Sequence, residues 1–441
     1  MRAGVWLDER LQRLRRDSVA RDTLWAGGLE ALQLGSMLLS FALLGTQLGP
    51  SGFGAYAAVY ALIGILGGFV YAGVSLTTVQ RIVRDGEDLS KVLNSALGLV
   101  LVTGLCGTVL GTTVGQVTVP SVALGALVCL MVAELLGTAW IDVMSSVVWA
   151  RDGLAAAAKF RGVPIVGKVV VLLALYAGGN LTIMNLAVTY LVLYLVISMA
   201  IAIAIGRRYG VAVRLGRPRW SHVGISGLYS MTTSSLAVQS DADKIVMSAA
   251  RLGPDVGLYA AAYRFVMMGM VPLRALLTAS HRRFLEHDPS SRGQHVRLSL
   301  RFSIIGVAYG VLFGIVMYIA APLVTVVLGP EYEGATTMLR WLAPVVAVRS
   351  VADFGMNGLL GFGRVGVRTS VASTAAAAAI VLYVVLIPSM GWQGAVLGTY
   401  ISELILGLLA WSALLYYQRQ HDAGLDGDIG SASSRSTATL S

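Results

Sequence analysis

Long apolar stretches separated by short polar connections run along almost the whole chain. Two of them, residues 93–119 and 181–205, contain no charged residue, and each exceeds the roughly 20 residues that a helix needs to cross a bilayer core. Neither shows the strict alternation of a barrel strand, so both are predicted helices. The same pattern predicts twelve membrane-spanning helices, at residues 24–47, 53–80, 92–117, 121–149, 163–179, 181–206, 221–250, 255–280, 302–327, 336–361, 367–388 and 392–416.

A heptapeptide recurs about half a chain length apart. Gly54-Ala-Tyr-Ala-Ala-Val-Tyr60 returns as Gly257-Leu-Tyr-Ala-Ala-Ala-Tyr263, an offset of 257 − 54 = 203 residues, and each copy follows a Leu-Gly-Pro turn. Thr189-Tyr190-Leu191 likewise matches Thr399-Tyr400-Ile401. Six spans per half make the two halves parallel repeats. We therefore expect an all-α integral membrane fold, with twelve transmembrane helices in two parallel six-helix repeats around a central cavity. The alternative to an internal repeat is chance similarity among Gly/Ala/Tyr-rich segments.

Basic residues concentrate in every second connection. They lie at residues 2–21, 81–91, 151–161, 207–219, 282–297, 364–368 and 419. The positive-inside rule then places both termini in the cytoplasm of a cell-membrane protein. The corresponding segments are a basic cytoplasmic N-terminal segment (1–22), an N-terminal six-helix bundle (23–206), a basic cytoplasmic linker (207–220), a C-terminal six-helix bundle (221–417) and a disordered cytoplasmic tail (418–441).

Composition excludes several other classes of protein. The 441 residues are 56% hydrophobic and 13% charged, with a mean hydropathy of +0.74, which is too apolar for a soluble domain. The net charge of +10 sits between apolar stretches, so it indicates membrane orientation rather than nucleic-acid binding. Cys106 and Cys129 both lie in apolar stretches and are predicted to be free thiols. We find no phosphate-binding loop, metal-ligand spacing or nucleophile elbow, and expect no catalytic residue, metal or cofactor.

The seventh predicted span is unusually polar. Gln239 precedes Asp241, Asp243 and Lys244, and ionisable residues inside a membrane normally face a cavity or a partner. Thr232, Ser235, Gln239 and Asp243 are spaced to share one helical face, which we predict lines the cavity. The predicted substrate-binding residues of this span are Gln239, Asp241, Asp243 and Lys244. Alternatively, the hydroxyls bond back to their own helix and the charged residues form a local structural ion pair.

Several arginines add positive charge to the C-terminal half. Arg264 lies at about the same predicted depth as Asp243, so it is expected to neutralise Asp241 or Asp243, or to contact a substrate phosphate. Arg274 and Arg349 are further substrate-binding candidates, although Arg349 is four residues from Asp353 and can pair with it. We therefore predict that the C-terminal half lines the central cavity with mainly positive charge and forms its cationic wall, and that the N-terminal half forms a more acidic wall.

Two acidic residues fall near the predicted middle of the membrane. Glu134 and Glu403 are candidates for binding a coupling cation, and a satisfied buried carboxylate is the alternative for each. The repeated tyrosines at 56, 60, 259 and 263 begin helices near the outer surface. We expect them to form an interfacial belt, with sugar stacking as the alternative.

Four segments resemble a known family of membrane proteins. They are Leu48-Gly-Pro-Ser-Gly-Phe-Gly-Ala-Tyr56, Asp243-Lys-Ile245 with the following Leu252–Arg264 region, Leu328-Gly-Pro-Glu-Tyr-Glu333, and Gly391-Trp-Gln-Gly-Ala-Val-Leu-Gly-Thr-Tyr400. In their order and spacing they resemble the polysaccharide transporters of the multidrug/oligosaccharidyl-lipid/polysaccharide exporter superfamily. The related peptidoglycan-precursor flippases usually carry two further spans, and no ion-site motif of the related drug exporters matches this chain.

The resemblance implies a flippase that moves lipid-linked oligosaccharide or polysaccharide precursors from the inner to the outer leaflet by alternating access. Its implied partners are a polyprenyl-linked glycan, membrane lipids, and a glycan polymerase or glycosyltransferases. A cation-coupled exporter of drugs or other small molecules is the main alternative. A membrane glycosyltransferase or polymerase is less supported, because the predicted outer connections are too short for a catalytic domain, and a non-transporting scaffold leaves the embedded charges unexplained.

Overall fold

A computed structural model describes residues 2–218, 223–286, 294–362 and 365–422. The regular secondary structure of these residues is entirely helical. Most of the predicted disordered tail lies outside them, and its first five residues, 418–422, continue the last helix.

Fifteen α-helices follow one another along the described chain. They are α1 (Arg2–Gly67), α2 (Gly73–Val83), α3 (Leu89–Thr118), α4 (Leu124–Met131), α5 (Thr138–Asp152), α6 (Leu154–Ala177), α7 (Ile183–Tyr209), α8 (Val223–Ala249), α9 (Pro254–Glu286), α10 (Gln294–Ala320), α11 (Leu323–Leu328), α12 (Glu333–Leu342), α13 (Val345–Gly361), α14 (Val365–Met390) and α15 (Trp392–Asp422). Two π-helical segments, Gly68–Ala72 and Val132–Gly137, join α1 to α2 and α4 to α5.

The Leu-Gly-Pro turns break the helices. Within α1, Gly49 is non-helical, with φ 63° and ψ 177°, and Pro50 begins the next helical run. Gly253 has φ 56°, and Pro254 is the first residue of α9. Glycine adopts a positive φ without the steric cost of a Cβ, and proline suits a first helical turn because its missing N–H has no partner there. Both copies of the turn therefore use the same backbone device.

Nine helical segments within the described residues are long and apolar enough to cross a membrane. The first of them, Gly27–Val83, contains the break at Gly49 and so covers two predicted spans. The helices α8 and α13 occupy predicted spans but are not among the nine. The chain is thus a multi-pass membrane protein, while the count of twelve spans and the parallel repeat stay predictions.

The chain divides into two compact units, Met1–Ser234 and Ser235–Ser441, here called unit 1 and unit 2. The division falls within α8. In unit 2, the core formed by α13, α14 and α15 contains Ala352, Leu359, Ala372, Ala375 and Leu414, each almost fully buried. The three alanines among them let the helices approach closely, as expected where lipid rather than water surrounds the bundle.

The residues that precede α8 are held by unit 1. The side chain of Asn94 in α3 donates to Ala212 O at 3.2 Å and accepts from Arg214 N at 2.9 Å. The backbone carbonyl of Asn94 accepts from Gly216 N at 2.9 Å. One residue therefore satisfies three backbone groups of an extended segment that has no regular structure of its own.

Replacing Gly310 by alanine is expected to destabilise unit 2. A Cβ at this position would lie 2.5 Å from Ala347 Cα and 2.6 Å from Ala347 N, so α10 and α13 would have to separate. Overpacking of this kind costs roughly 1–3 kcal/mol. The matched control is Gly366→Ala in α14, where a Cβ meets nothing within 4 Å. Chemical denaturation in mild detergent would measure both, and equal stability of the two variants would contradict the close contact.

Candidate functional site

The buried carboxylate of Glu134 is the centre of a polar cluster in unit 1. Glu134 lies in the π-helical segment Val132–Gly137, and its side chain is 7% exposed. Lys168 Nζ of α6 lies 2.5 Å from Glu134 Oε1. The Tyr60 hydroxyl donates to the same oxygen at 2.8 Å, and the Tyr194 and Thr138 hydroxyls each lie 3.3 Å from Oε2. The carboxylate therefore has a full counter-charge and donors on both oxygens.

Aromatic rings surround the ammonium of Lys168. Its Nζ lies 5.8 Å from the ring centroid of Tyr60, 5.5 Å from that of Tyr190 and 5.3 Å from that of Tyr194. A cation within about 6 Å of an aromatic ring is attracted by the ring quadrupole. These five residues, Tyr60, Glu134, Lys168, Tyr190 and Tyr194, are called the unit 1 cage below.

The local packing of unit 1 explains how the cage is assembled. π-Helical segments often mark functional positions in helices, and here the segment carries Glu134. A Cβ at Gly137 would lie 2.8 Å from Tyr194 Cβ. Glycine at this position thus lets α7 approach closely enough for Tyr194 to reach the carboxylate.

A second cluster in unit 2 is built around Lys244. Its Nζ donates to Ser240 O at 2.8 Å, to Asp241 Oδ1 at 3.0 Å and to Asp243 Oδ1 at 3.1 Å. The ammonium also lies 4.0 Å from the ring centroid of Tyr263. A lysine ammonium has three donors, and all three are used. In this arrangement Lys244 has no donor left for a substrate phosphate.

Asp243 is fixed from a second side by a chain of hydroxyls. Tyr259 OH donates to Asp243 Oδ2 at 2.7 Å and lies 3.4 Å from Thr399 Oγ1. Tyr383 OH lies 3.2 Å from the same Thr399 oxygen and 3.2 Å from the Gln239 carbonyl. Because an ionised carboxylate only accepts, the Tyr259 proton points toward Asp243. The chain connects α8, α9, α14 and α15 within unit 2.

Arg349 of α13 serves two carboxylates at once. Arg349 NH1 lies 3.5 Å from Glu403 Oε1, and Nε lies 4.0 Å from Asp353 Oδ2. Arg349 NH2 donates to Ser240 Oγ at 2.8 Å, which links this group to a side chain of α8. Although Arg349 and Glu403 are close enough for an ion pair, their geometry does not make a hydrogen bond. Both Glu403 oxygens are buried without a hydrogen-bond partner among the described residues.

The sequence-predicted substrate residues fall into two groups. Gln239, Asp241, Asp243, Lys244 and Arg349 come together in the unit 2 network. Gln239 and Asp243 are almost fully buried, at 1% and 0% exposure, so this part of the predicted polar face packs inside unit 2. Asp241 is the accessible carboxylate of this group, because its side chain is 36% exposed. The expected Arg349–Asp353 contact is present, as is a local pairing of Lys244 with both aspartates.

Arg264 and Arg274 form no ion pair within that network, although Arg274 lies near enough to Asp353 to act on it electrostatically. No ion pair among the described residues includes either arginine, and the partner of Asp241 and Asp243 is Lys244 rather than the expected Arg264. Arg264 is half-buried and Arg274 is exposed, with Arg274 NH2 lying 4.0 Å from Met267 Sδ. These two guanidinium groups in α9 keep donors that a ligand can use.

Two sequence interpretations need correction. The interfacial belt is wrong for Tyr56, Tyr259 and Tyr263, which are buried, since their hydroxyls or rings pack against polar groups inside the bundle. The acidic N-terminal wall is largely neutralised, because Glu134 pairs with Lys168 and Asp142 pairs with Arg161 at 2.8 Å. Sequence spacing gave no signal for the Lys168–Glu134 and Arg349–Glu403 pairs, whose members lie far apart along the chain.

Removing the Lys244 ammonium is expected to destabilise unit 2. In Lys244→Met, two carboxylates lose their shared cation, and an uncompensated buried charge costs about 3–5 kcal/mol. The double variant Asp243→Asn/Lys244→Met should regain part of this loss because one buried charge is removed as well. Lys91→Met, at an exposed lysine, is the control. Denaturant titration in mild detergent measures all three, and a wild-type-like Lys244→Met would contradict the counter-ion role.

Comparison with known proteins gives matches at the level of structure. No family model matches the sequence, and no curated protein does. The inward-facing structure of a multidrug resistance MATE family transporter of the MOP superfamily aligns with a TM-score of 0.69 and 14% identity, over 88% of this chain and 96% of that one. The lipid II flippase MurJ, in an inward closed conformation, aligns with a TM-score of 0.68 and 10% identity, over 89% of this chain and 87% of that one.

A third structure widens the range of functions associated with this architecture. A MOP superfamily transporter from Pyrococcus furiosus, described as having a binding pocket of reverse polarity that suggests a different function, aligns with a TM-score of 0.59 and 15% identity over 92% of this chain and 93% of that one. All three structures belong to transporters, and each alignment spans both units. At these identities the likeness concerns architecture. The chain has the fold of the MOP superfamily of membrane transporters.

Proposed function

We propose that the protein flips an anionic lipid-linked oligosaccharide or polysaccharide precursor from the inner to the outer leaflet of the cell membrane by alternating access. In this proposal both termini are cytoplasmic, and the substrate is a polyprenyl-linked glycan that a glycan polymerase or glycosyltransferases make or consume. The similarity in fold to a lipid II flippase supports the proposal. The sequence resemblance to polysaccharide transporters supports it independently.

The observation that carries this proposal is the pair of available guanidinium groups in α9. Arg264 and Arg274 are ten residues apart, which corresponds to roughly 15 Å along a helix. Because neither belongs to an ion pair among the described residues, each retains donors for a diphosphate. A planar guanidinium can hold a phosphate through two parallel hydrogen bonds. The donors of Lys244, by contrast, are all used by acceptors of its own helix α8.

The test is leaflet translocation in reconstituted vesicles that contain a polyprenyl-diphosphate oligosaccharide. Arg264→Ala and Arg274→Ala are each expected to lower the rate roughly tenfold or more, because a hydrogen bond to a charged group contributes about 1.5–3 kcal/mol. The lysine variants should retain more activity than the alanine variants since they keep the charge. The rate would be followed by the access of a glycan-cleaving enzyme to the outer leaflet.

Arg297→Ala is the matched control for this experiment. Arg297 is an exposed arginine of α10 in the same unit, and no ion pair among the described residues includes it. Its replacement should leave translocation unchanged. Wild-type rates in both α9 variants, or no translocation of any polyprenyl-linked glycan by the wild-type protein, would refute the flippase proposal.

Export of an amphipathic cation is the second candidate function, and one observation favours it. An apolar groove of about 810 Å³ in unit 2 lies between α10, α13 and α15, and its lining includes Glu403. The carboxylate of Glu403 has no hydrogen-bond donor among the described residues. An apolar groove beside an unsatisfied carboxylate suits a hydrophobic cation. Cation efflux from vesicles that is lost in Glu403→Gln, without glycan translocation, would favour this function.

A further inference from the structure

The two units place an ammonium group beside the same tyrosine of the repeated heptapeptide. Lys168 Nζ lies 5.8 Å from the Tyr60 ring in unit 1, and Lys244 Nζ lies 4.0 Å from the Tyr263 ring in unit 2. Tyr60 and Tyr263 are corresponding residues at the offset of 203 derived from the heptapeptides. In each unit the ammonium also contacts a buried carboxylate, Glu134 or Asp243.

The two lysines do not correspond to each other in the repeat. The two matched segments give offsets of 257 − 54 = 203 and 399 − 189 = 210 residues, so Lys168 corresponds to a position between Val371 and Ala378, where there is no lysine. At the heptapeptide offset of 203, Lys244 corresponds to Phe41. The ammonium therefore reaches this position from α6 in one unit and from α8 in the other. Two helices that do not correspond in the repeat thus place an ammonium beside corresponding tyrosines. We take this to indicate that a monovalent cation is required beside that tyrosine, whichever residue supplies it.

The unit 1 cage has the chemistry of an ammonium receptor. A buried carboxylate supplies the negative charge, while three tyrosine rings lie at 5.3–5.8 Å from the nitrogen. Aromatic rings attract a primary ammonium within about 6 Å through the same ring quadrupole that recognises quaternary ammonium ligands. Lys168 keeps 23% of its side chain exposed, against 7% for Glu134, so the lysine is the accessible member of the pair.

We propose that the other four residues of the unit 1 cage, Tyr60, Glu134, Tyr190 and Tyr194, form a binding site for a primary alkylammonium, which the chain fills with its own Lys168 side chain. Lys168 thus acts as a tethered cation. Its presence keeps Glu134 from exchanging a free cation during transport, and its removal exposes a site for a small ammonium ligand. This inference concerns unit 1 alone and does not depend on the identity of the transported molecule.

The experiment replaces the tether by a free ligand. Lys168→Ala removes the Cγ, Cδ, Cε and Nζ atoms, which together match propylammonium. We expect the unfolding temperature of the full chain in mild detergent to fall by roughly 3–5 °C, because a buried carboxylate loses its partner. Propylammonium should then raise that temperature in a saturable manner, as a ligand of the folded state does.

Two comparisons separate ammonium recognition from simpler effects. Propanol has a similar size but no charge, and it should not restore stability; equal rescue by propanol and propylammonium would show cavity filling and overturn the proposal. Lys159→Ala is the control variant, because Lys159 lies in the same helix α6, is exposed, and contacts the Trp25 ring at 4.8 Å. Its unfolding temperature should not respond specifically to propylammonium. Absence of any rescue in folded Lys168→Ala would also overturn the proposal.

A second pair of variants applies if Lys168→Ala does not fold. Lys168→Met keeps the length of the side chain and removes its charge, so it should lower the unfolding temperature. Combining it with Glu134→Gln removes both charges and should recover most of that loss. If the double variant is no more stable than Lys168→Met alone, Lys168 is not the counter-ion of Glu134, and the tethered-cation proposal fails.

Discussion

A carboxylate inside an apolar helix bundle is stable when a cation or several hydrogen-bond donors lie beside it, and both units are organised by this requirement. Glu134 and Asp243 are each nine-tenths buried or more, and each contacts a lysine and a tyrosine hydroxyl. The residues that meet the requirement come from several helices. Each cluster therefore neutralises a buried charge and also sets the positions of the helices that contribute to it. Apolar packing alone would specify those helix positions less uniquely.

The buried acids differ in how completely they are satisfied. The Glu134 carboxylate has donors on both oxygens, and the donors of Lys244 are fully used. Glu403 instead shares Arg349 with Asp353 and accepts no hydrogen bond from the described residues. Saturated groups resist new ligands because an existing contact must first break, whereas unsaturated groups gain from a new one. Ligand chemistry in unit 2 is accordingly expected at Glu403 and at the α9 arginines rather than at Lys244.

The sequence predicted local features well and distant pairs poorly. Apolar run length located the helices, and the Leu-Gly-Pro turns located their breaks, because both signals depend on neighbouring residues. The contact between Arg349 and Asp353 followed from four-residue spacing on one helix. Lys168 and Glu134 lie on separate helices, 168 − 134 = 34 residues apart, so no spacing rule connects them. Burial of Tyr259 was missed for the same reason, since its partners Asp243 and Thr399 lie on other helices.

The Leu-Gly-Pro turn also has a consequence for biosynthesis. Its geometry depends on a glycine with positive φ and on the missing N–H of the next proline, as at Gly49 and Pro50. Neither property needs a contact with the rest of the bundle. The turn can therefore form while the two helices are still leaving the ribosome, and each pair can enter the bilayer as a hairpin. The long-range pairs Lys168–Glu134 and Arg349–Glu403 would then assemble among helices that are already in place.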